Sequence, residues 1–202
     1  MEKQRSQLYL EICSMKYKEL QEKPKQFESL CGHSVDLFDT LSKIFSVEYE
    51  NYFSHFTLDG KERKGPKLQR RDNAFETSSD ALFFVLSYVK NNPLQEYHAA
   101  QYGLSQPQAN TWIHLLVRLL QDTLGKNKNL PARSNKELKY VLKDVPKVFI
   151  DGTERPVQRS TDYQTQKDHF SGKKKHCVKN DLITSPQHEV LYLSIYLGLY
   201  MI

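Results

Sequence analysis

Asp151 closes a short apolar run, Val148-Phe149-Ile150, and opens an Asp-Gly-Thr-Glu segment. An apolar strand that ends in an acid is a common way to place a metal ligand at the rim of a sheet. Asp-Gly is equally an ordinary turn dipeptide, so the spacing leaves both a metal ligand and a plain turn open. Glu154 follows three residues later, as a supporting acid or as a surface turn residue. The polar, basic stretch beyond it ends in Ser171-Gly172-Lys173-Lys174-Lys175-His176. Lys173, Lys174 and Lys175 could contact phosphate, or form a solvated charge run. No Gly-rich phosphate loop, His/Cys metal cluster or Ser-His-Asp set is evident.

A second set of chemically useful side chains lies upstream. Leu94 to Leu104 reads as a short helix that stops at Gly103, and Ser105-Gln106-Pro107-Gln108 then reads as a capping box with proline just inside a new helix. Trp112, Ile113, Leu116, Leu119 and Leu120 continue that helix on one face. Two helices joined by a tight Gly-containing turn are the geometry that carries a recognition helix into the major groove. Ala99 supplies the small residue where the helices touch, Gly103 the turn residue tolerant of positive φ, and Leu104, Ala109 and Trp112 the anchors behind. With those anchors inward, Gln106, Asn110, Thr111 and His114 face out. Gln and Asn can bind adenine bidentately, and Thr can touch a thymine methyl. An αα-hairpin that only packs has the same spacing.

The string from Lys147 to Asn180, with VFIDGTERPVQRSTDYQTQKDHFSGKKKHCVKN as its body, closely resembles the start of the catalytic domain in DDE-type transposases of bacterial insertion sequences. Residues 94–124 resemble the helix-turn-helix that precedes that domain in the same group. The resemblance implies an RNase H-like fold. It also implies two divalent cations, Mg²⁺ or Mn²⁺, held by two Asp and a Glu for in-line attack on a phosphodiester. Asp151 matches the first carboxylate and is the one catalytic and metal-binding residue carried over. Asp162, Asp168, Asp181 and Glu189 are not at the spacing the second Asp and the Glu require. After Ser194 the chain also leaves the family pattern and reads Ile195-Tyr196-Leu197-Gly198-Leu199-Tyr200-Met201-Ile202. A shifted reading frame or a truncated gene copy would give that ending, so a catalytically incomplete fragment is expected.

Charge layout agrees with a polyanionic partner. The 202-residue chain carries a net charge of +5. Between Lys126 and Asn180 stand fourteen Lys/Arg against six Asp/Glu, so the remainder is net negative. A second cluster from Lys61 to Arg71 holds six positive charges, among them Lys67, Arg70 and Arg71, against one negative. Segregated positive charge suits phosphate, because each neutralised phosphate releases counterions. Cys13, Cys31 and Cys177 are odd in number and widely spaced, which predicts reduced thiols in a cytoplasmic protein. The charged N-terminus is unlike a signal peptide. The longest apolar run, Val190 to Ile202, is too short to span a bilayer, so no membrane partner is expected.

The expected fold is a mainly α N-terminal region with a helix-turn-helix, followed by a partial RNase H-like α/β domain made of its first strands only. The expected organisation is a helical N-terminal region over 1–58, a basic linker over 59–73, a helix-turn-helix domain over 74–125, a connecting loop and helix over 126–146, and a truncated DDE endonuclease domain over 147–202. The expected partner is double-stranded DNA at the terminal repeats of an element, joined by intact transposase or the missing C-terminal part. A non-catalytic DNA-binding regulator derived from a transposase is the alternative.

Overall fold

Phe38, Phe45, Tyr49 and Phe53 recur at helical spacing and all become buried along one stripe of a helix spanning Val35–His55. The computed structural model describes residues 16–65, 74–170 and 176–194. Cys13, Lys67, Arg70, Arg71, Lys173, Lys174, Lys175 and the segment from Ile195 onward lie outside the described residues. The chain divides into two units, the first ending at Asn129 and the second beginning at Leu130.

In the first unit, α1 (Tyr17–Gln21), α2 (Pro24–Cys31) and α3 (Val35–His55) precede α4 (Ser78–Asn91), α5 (Gln95–Gln101) and α6 (Gln106–Lys126). Local signals delimit them. Pro24 opens α2, Gly32 ends it at φ 79°, and the Ser34 hydroxyl caps α3 by accepting the Leu37 N–H at 3.3 Å. A reciprocal Thr77/Asp80 capping box starts α4, and Asn92 ends it in the left-handed region at φ 43°. Every residue of α4 from Ala81 to Ser87 is buried. A helix apolar on all sides belongs at the centre of a bundle, and α4 packs against α2, α3 and α6.

Aromatic rings tie the early helices to the later ones. Phe27 stacks on Phe83 at 5.3 Å and meets Phe38 edge-on at 5.1 Å. Trp112 of α6 lies 5.7 Å from Phe53 of α3 and 5.0 Å from Phe75. Burying one such ring stabilises by roughly 1.5–3 kcal/mol, and edge and offset ring pairs add to that. The helices on either side of 59–73 therefore share one core. Cys31 is a buried free thiol within it, and burial pushes its pKa up, in keeping with a packing role.

In the second unit a Ser134/Glu137 capping box starts α7 (Asn135–Val141). Three strands follow, β1 (Phe149–Pro156), β2 (Cys177–Thr184) and β3 (Val190–Leu193), with α8 (Tyr163–Asp168) between the first two. They form one antiparallel sheet in the order β1-β2-β3. Ala132 belongs with this sheet, since its N–H donates to the Leu191 carbonyl at 2.9 Å and its carbonyl accepts the Leu193 N–H at 3.1 Å. That pairing is why the second unit begins near residue 130 and not at the change of sequence period near 146.

The Asp-Gly-Thr-Glu segment is not a turn. β1 runs straight through it, because all eight of its residues pair with β2, from Phe149 opposite Thr184 to Pro156 opposite Cys177. A Cβ on Gly152 would lie 2.9 Å from Cε of Lys179 on the neighbouring strand, the movable end of a flexible side chain. Asp151 is consequently mid-strand and not at a strand end.

Candidate nucleic-acid interface

The turn between α5 and α6 is built from the residues that mark it. Gly103 sits at φ 66°, with open space where a Cβ would be, so conformation alone calls for glycine. The Leu104 N–H reaches back to the Ala99 carbonyl at 2.9 Å and the Gly103 N–H to the Ala100 carbonyl at 3.3 Å, which closes α5 in a Schellman arrangement. Ser105 then caps α6, donating both its N–H and its hydroxyl to Gln108 Oε1 at 2.9 Å.

Ala99 and Ala109 are fully buried where the two helices meet, and Ile113 and Leu116 continue the inward face of α6. Leu104 and Trp112 pack against the same core while half-buried. Gln106 and His114 are exposed, and Asn110 and Thr111 are half-buried. All four lie away from that inward face. The Thr111 hydroxyl donates to the Pro107 carbonyl at 3.0 Å.

Gln95, which spacing did not single out, lies at the centre of this face. Gln106 Nε2 donates to Gln95 Oε1 at 2.7 Å, and Gln95 Nε2 donates to Asn110 Oδ1 at 3.1 Å. The cue was available only in retrospect: Gln95 and Gln106 are the first residues of the two helices, and the tight turn sets those ends side by side.

Below the face lies a second overlooked residue, His98. Its ring is 1 % exposed and sits 4.5 Å from Phe84, 5.2 Å from Tyr88 and 5.0 Å from Tyr102. Nε2 lies 3.1 Å from the Phe84 carbonyl, which can only accept, so that nitrogen carries the proton. Burial lowers the His98 pKa from the ordinary imidazole value. Tyr102 meets Ser87 Oγ at 3.0 Å, and burial raises its pKa.

Of the basic cluster around residues 61–71, Lys61, Arg63 and Lys64 are described. Lys61 and Lys64 are exposed, and the Arg63 Nε–H donates to the Phe56 carbonyl at 2.9 Å.

In the second unit, Asp151 is exposed and its Oδ1 accepts the N–H of Gly152 at 2.8 Å. Neighbours along a strand point to opposite faces and directly paired residues to the same face. Asp151 pairs with Leu182 and shares its face with Asn180 and Arg155, which are bonded at 2.8 Å. Asp181 pairs with Gly152 and Glu154 with Lys179, on the other face. Glu154 therefore does not support Asp151; its Oε2 instead lies 3.8 Å from Cys177 Sγ. Asp162 caps α8 by accepting from Thr165, and Asp168 accepts from Gln164. Among the described residues no group of three or more His, Cys, Asp and Glu is placed to hold a metal ion, and no helix is long and apolar enough to cross a membrane.

No curated protein and no solved structure matches the chain. Residues 77–126, which take in α4, α5 and α6, match the family described as the helix-turn-helix of DDE superfamily endonuclease.

Proposed function

We propose that this is a transposase-related protein whose helical unit binds duplex DNA at the ends of an insertion element, with the start of α6 seated in the major groove. One observation carries the reading. Gln106, Asn110, Thr111 and His114 stand on the outer face of a helix whose other face is fixed by Ala99, Ala109, Ile113 and Leu116. A polar face on a rigid base is what base readout requires, and the family match over 77–126 supports the same role. Lys61, Lys64, Lys67, Arg70 and Arg71 would supply phosphate contacts that hold register without reading sequence. Lys173, Lys174 and Lys175 would do the same for the second unit.

For the second unit, the proposed relation is to the first strands of an RNase H-like nuclease domain, with Asp151 as the first metal carboxylate. The described residues do not fit a pair of Mg²⁺ or Mn²⁺ ions. Asp151 has neither Asp181 nor Glu154 on its face, and one carboxylate does not hold two cations against a scissile phosphate. The remaining ligands would have to come from beyond the described residues or from intact transposase. The same observation favours a second reading, a non-catalytic regulator that competes for the same DNA ends.

Comparative binding tests the DNA reading. Asn110→Ala is expected to lose discrimination between a selected duplex and its single-base-pair variants while retaining binding to unselected DNA. Lys67→Ala is expected to weaken all sequences similarly. An Asn110→Ala protein with unchanged discrimination would remove α6 from base readout.

A further inference from the structure

Arg118 stands on α6 one turn past His114 and lies over an aromatic ring of another helix. Its guanidinium carbon is 5.5 Å from the centre of the Tyr52 ring in α3. Arg118 is exposed, and among the described residues no carboxylate pairs with it. A guanidinium drawn to a ring face keeps N–H donors at its edge for a phosphate. From Gln106 to Gln121, α6 holds no carboxylate, and Arg118 is its one formal cation.

Tyr52 also anchors the start of the basic cluster. Its hydroxyl donates to the Thr57 carbonyl at 3.4 Å, and its ring lies 5.4 Å from that of Phe56. The Thr57 N–H donates to the Lys61 carbonyl and the Arg63 N–H to the His55 carbonyl, both at 2.8 Å, so residues 57–63 fold back on the end of α3. Gly60 makes that turn at φ 76°, and a Cβ on it would lie 3.8 Å from Tyr52 Oη. One tyrosine therefore holds both the arginine of α6 and the turn that carries Lys61.

Distance along α6 decides what Arg118 can reach. It lies twelve residues beyond Gln106, roughly 18 Å at about 1.5 Å per residue. The major groove is only about 12 Å wide. With the start of α6 in the groove, Arg118 falls at the groove's edge, where phosphates lie and base edges do not. Four residues after His114, it is on the same side of the helix.

We propose that Arg118 is a phosphate contact at the edge of the major groove, and that Tyr52 is the positioning residue that holds its guanidinium there. This rests on the DNA-binding reading above. The contact neutralises one phosphate whatever the sequence. A side chain already ordered on a ring also loses less conformational freedom on binding.

The test measures Kd for unselected duplex and for a selected site across a salt series. It uses the full chain as wild type, Arg118→Gln, Arg118→Lys, Tyr52→Leu and the double variant Tyr52→Leu/Arg118→Gln. Arg118→Gln should reduce the log–log salt slope by about 1 and weaken all sequences similarly, with discrimination retained. Arg118→Lys should restore the slope. Tyr52→Leu should weaken binding roughly twofold to tenfold, the scale of ordering one long side chain, and only while Arg118 is present. An unchanged slope in Arg118→Gln protein would overturn the proposal, and with wild-type binding still salt-dependent the DNA-binding reading would stand. A lowered thermal midpoint with that unchanged slope would make the pair a packing contact. Equal weakening by Tyr52→Leu with and without Arg118 would remove the positioning role, because a general loss of fold does not depend on the arginine. Arg118 is exposed, so Arg118→Gln reports on the phosphate contact whether or not Tyr52→Leu folds. If the wild-type chain binds no duplex at low salt, the DNA-binding reading fails first and this proposal with it.

Discussion

Asp151 and Asp181 lie on neighbouring strands but on opposite faces of the sheet, because Asp151 pairs with Leu182 and Asp181 with Gly152. A one-residue offset in an antiparallel ladder turns a side chain through the sheet. Two carboxylates close in sequence register therefore do not converge on one metal ion. The purified chain is expected neither to nick nor to join DNA in Mg²⁺ or Mn²⁺, as read by relaxation of supercoiled plasmid. Relaxation that disappears in Asp151→Ala protein would show that a complete site assembles.

His98 makes the helical unit sensitive to acid. Burial favours its neutral form, so the folded ring takes up a proton less readily than the unfolded one, whose value is near 6.5. As pH falls through and below 6.5 the unfolded chain gains a proton the folded chain lacks, and stability declines; above that range this contribution is level. Rings of Phe84, Tyr88 and Tyr102 face the imidazole, along with the Phe84 carbonyl and the Gln101 side chain. None of them can offer an anion to a protonated imidazole at these pH values. Thermal midpoints measured between pH 8 and pH 5 should fall at the acid end, and His98→Gln should flatten that dependence. An equal fall in His98→Gln protein would assign it elsewhere.

Gly103→Ala isolates the cost of the turn. The position is at φ 66° with nothing within 4 Å of the added Cβ, so no clash confuses the result. The expected loss is about 1–2 kcal/mol, the strain of an L-residue in the left-handed region, seen in urea unfolding. A neutral substitution would mean that the turn relaxes to another shape.

Local signals accounted for most of the first unit. Gly103, the Ser105/Gln108 cap and the spacing of Phe38, Leu116 and their neighbours act within a turn or two of chain, so they are readable in order along it. Features that need two distant segments were not. β1 passes through Asp-Gly because β2 pairs with it, which overrides a turn preference that is only local. Gln95 meets Gln106 and Asn110 only once two helix starts are set side by side. His98 reads as an ordinary polar residue until Phe84, Tyr88 and Tyr102 close around it.

The central claim is that this chain binds duplex DNA through phosphate-neutralising cations and the outer face of α6, and a salt titration of duplex binding tests it most directly. With roughly four to six phosphate contacts, log Kd against log salt should have a slope of about 4–5 in magnitude, affinity weakening as salt rises. Lys67→Ala should reduce that slope by about 1, whereas Asn110→Ala should leave it unchanged. Absence of binding at low salt, or binding indifferent to salt, would contradict the account.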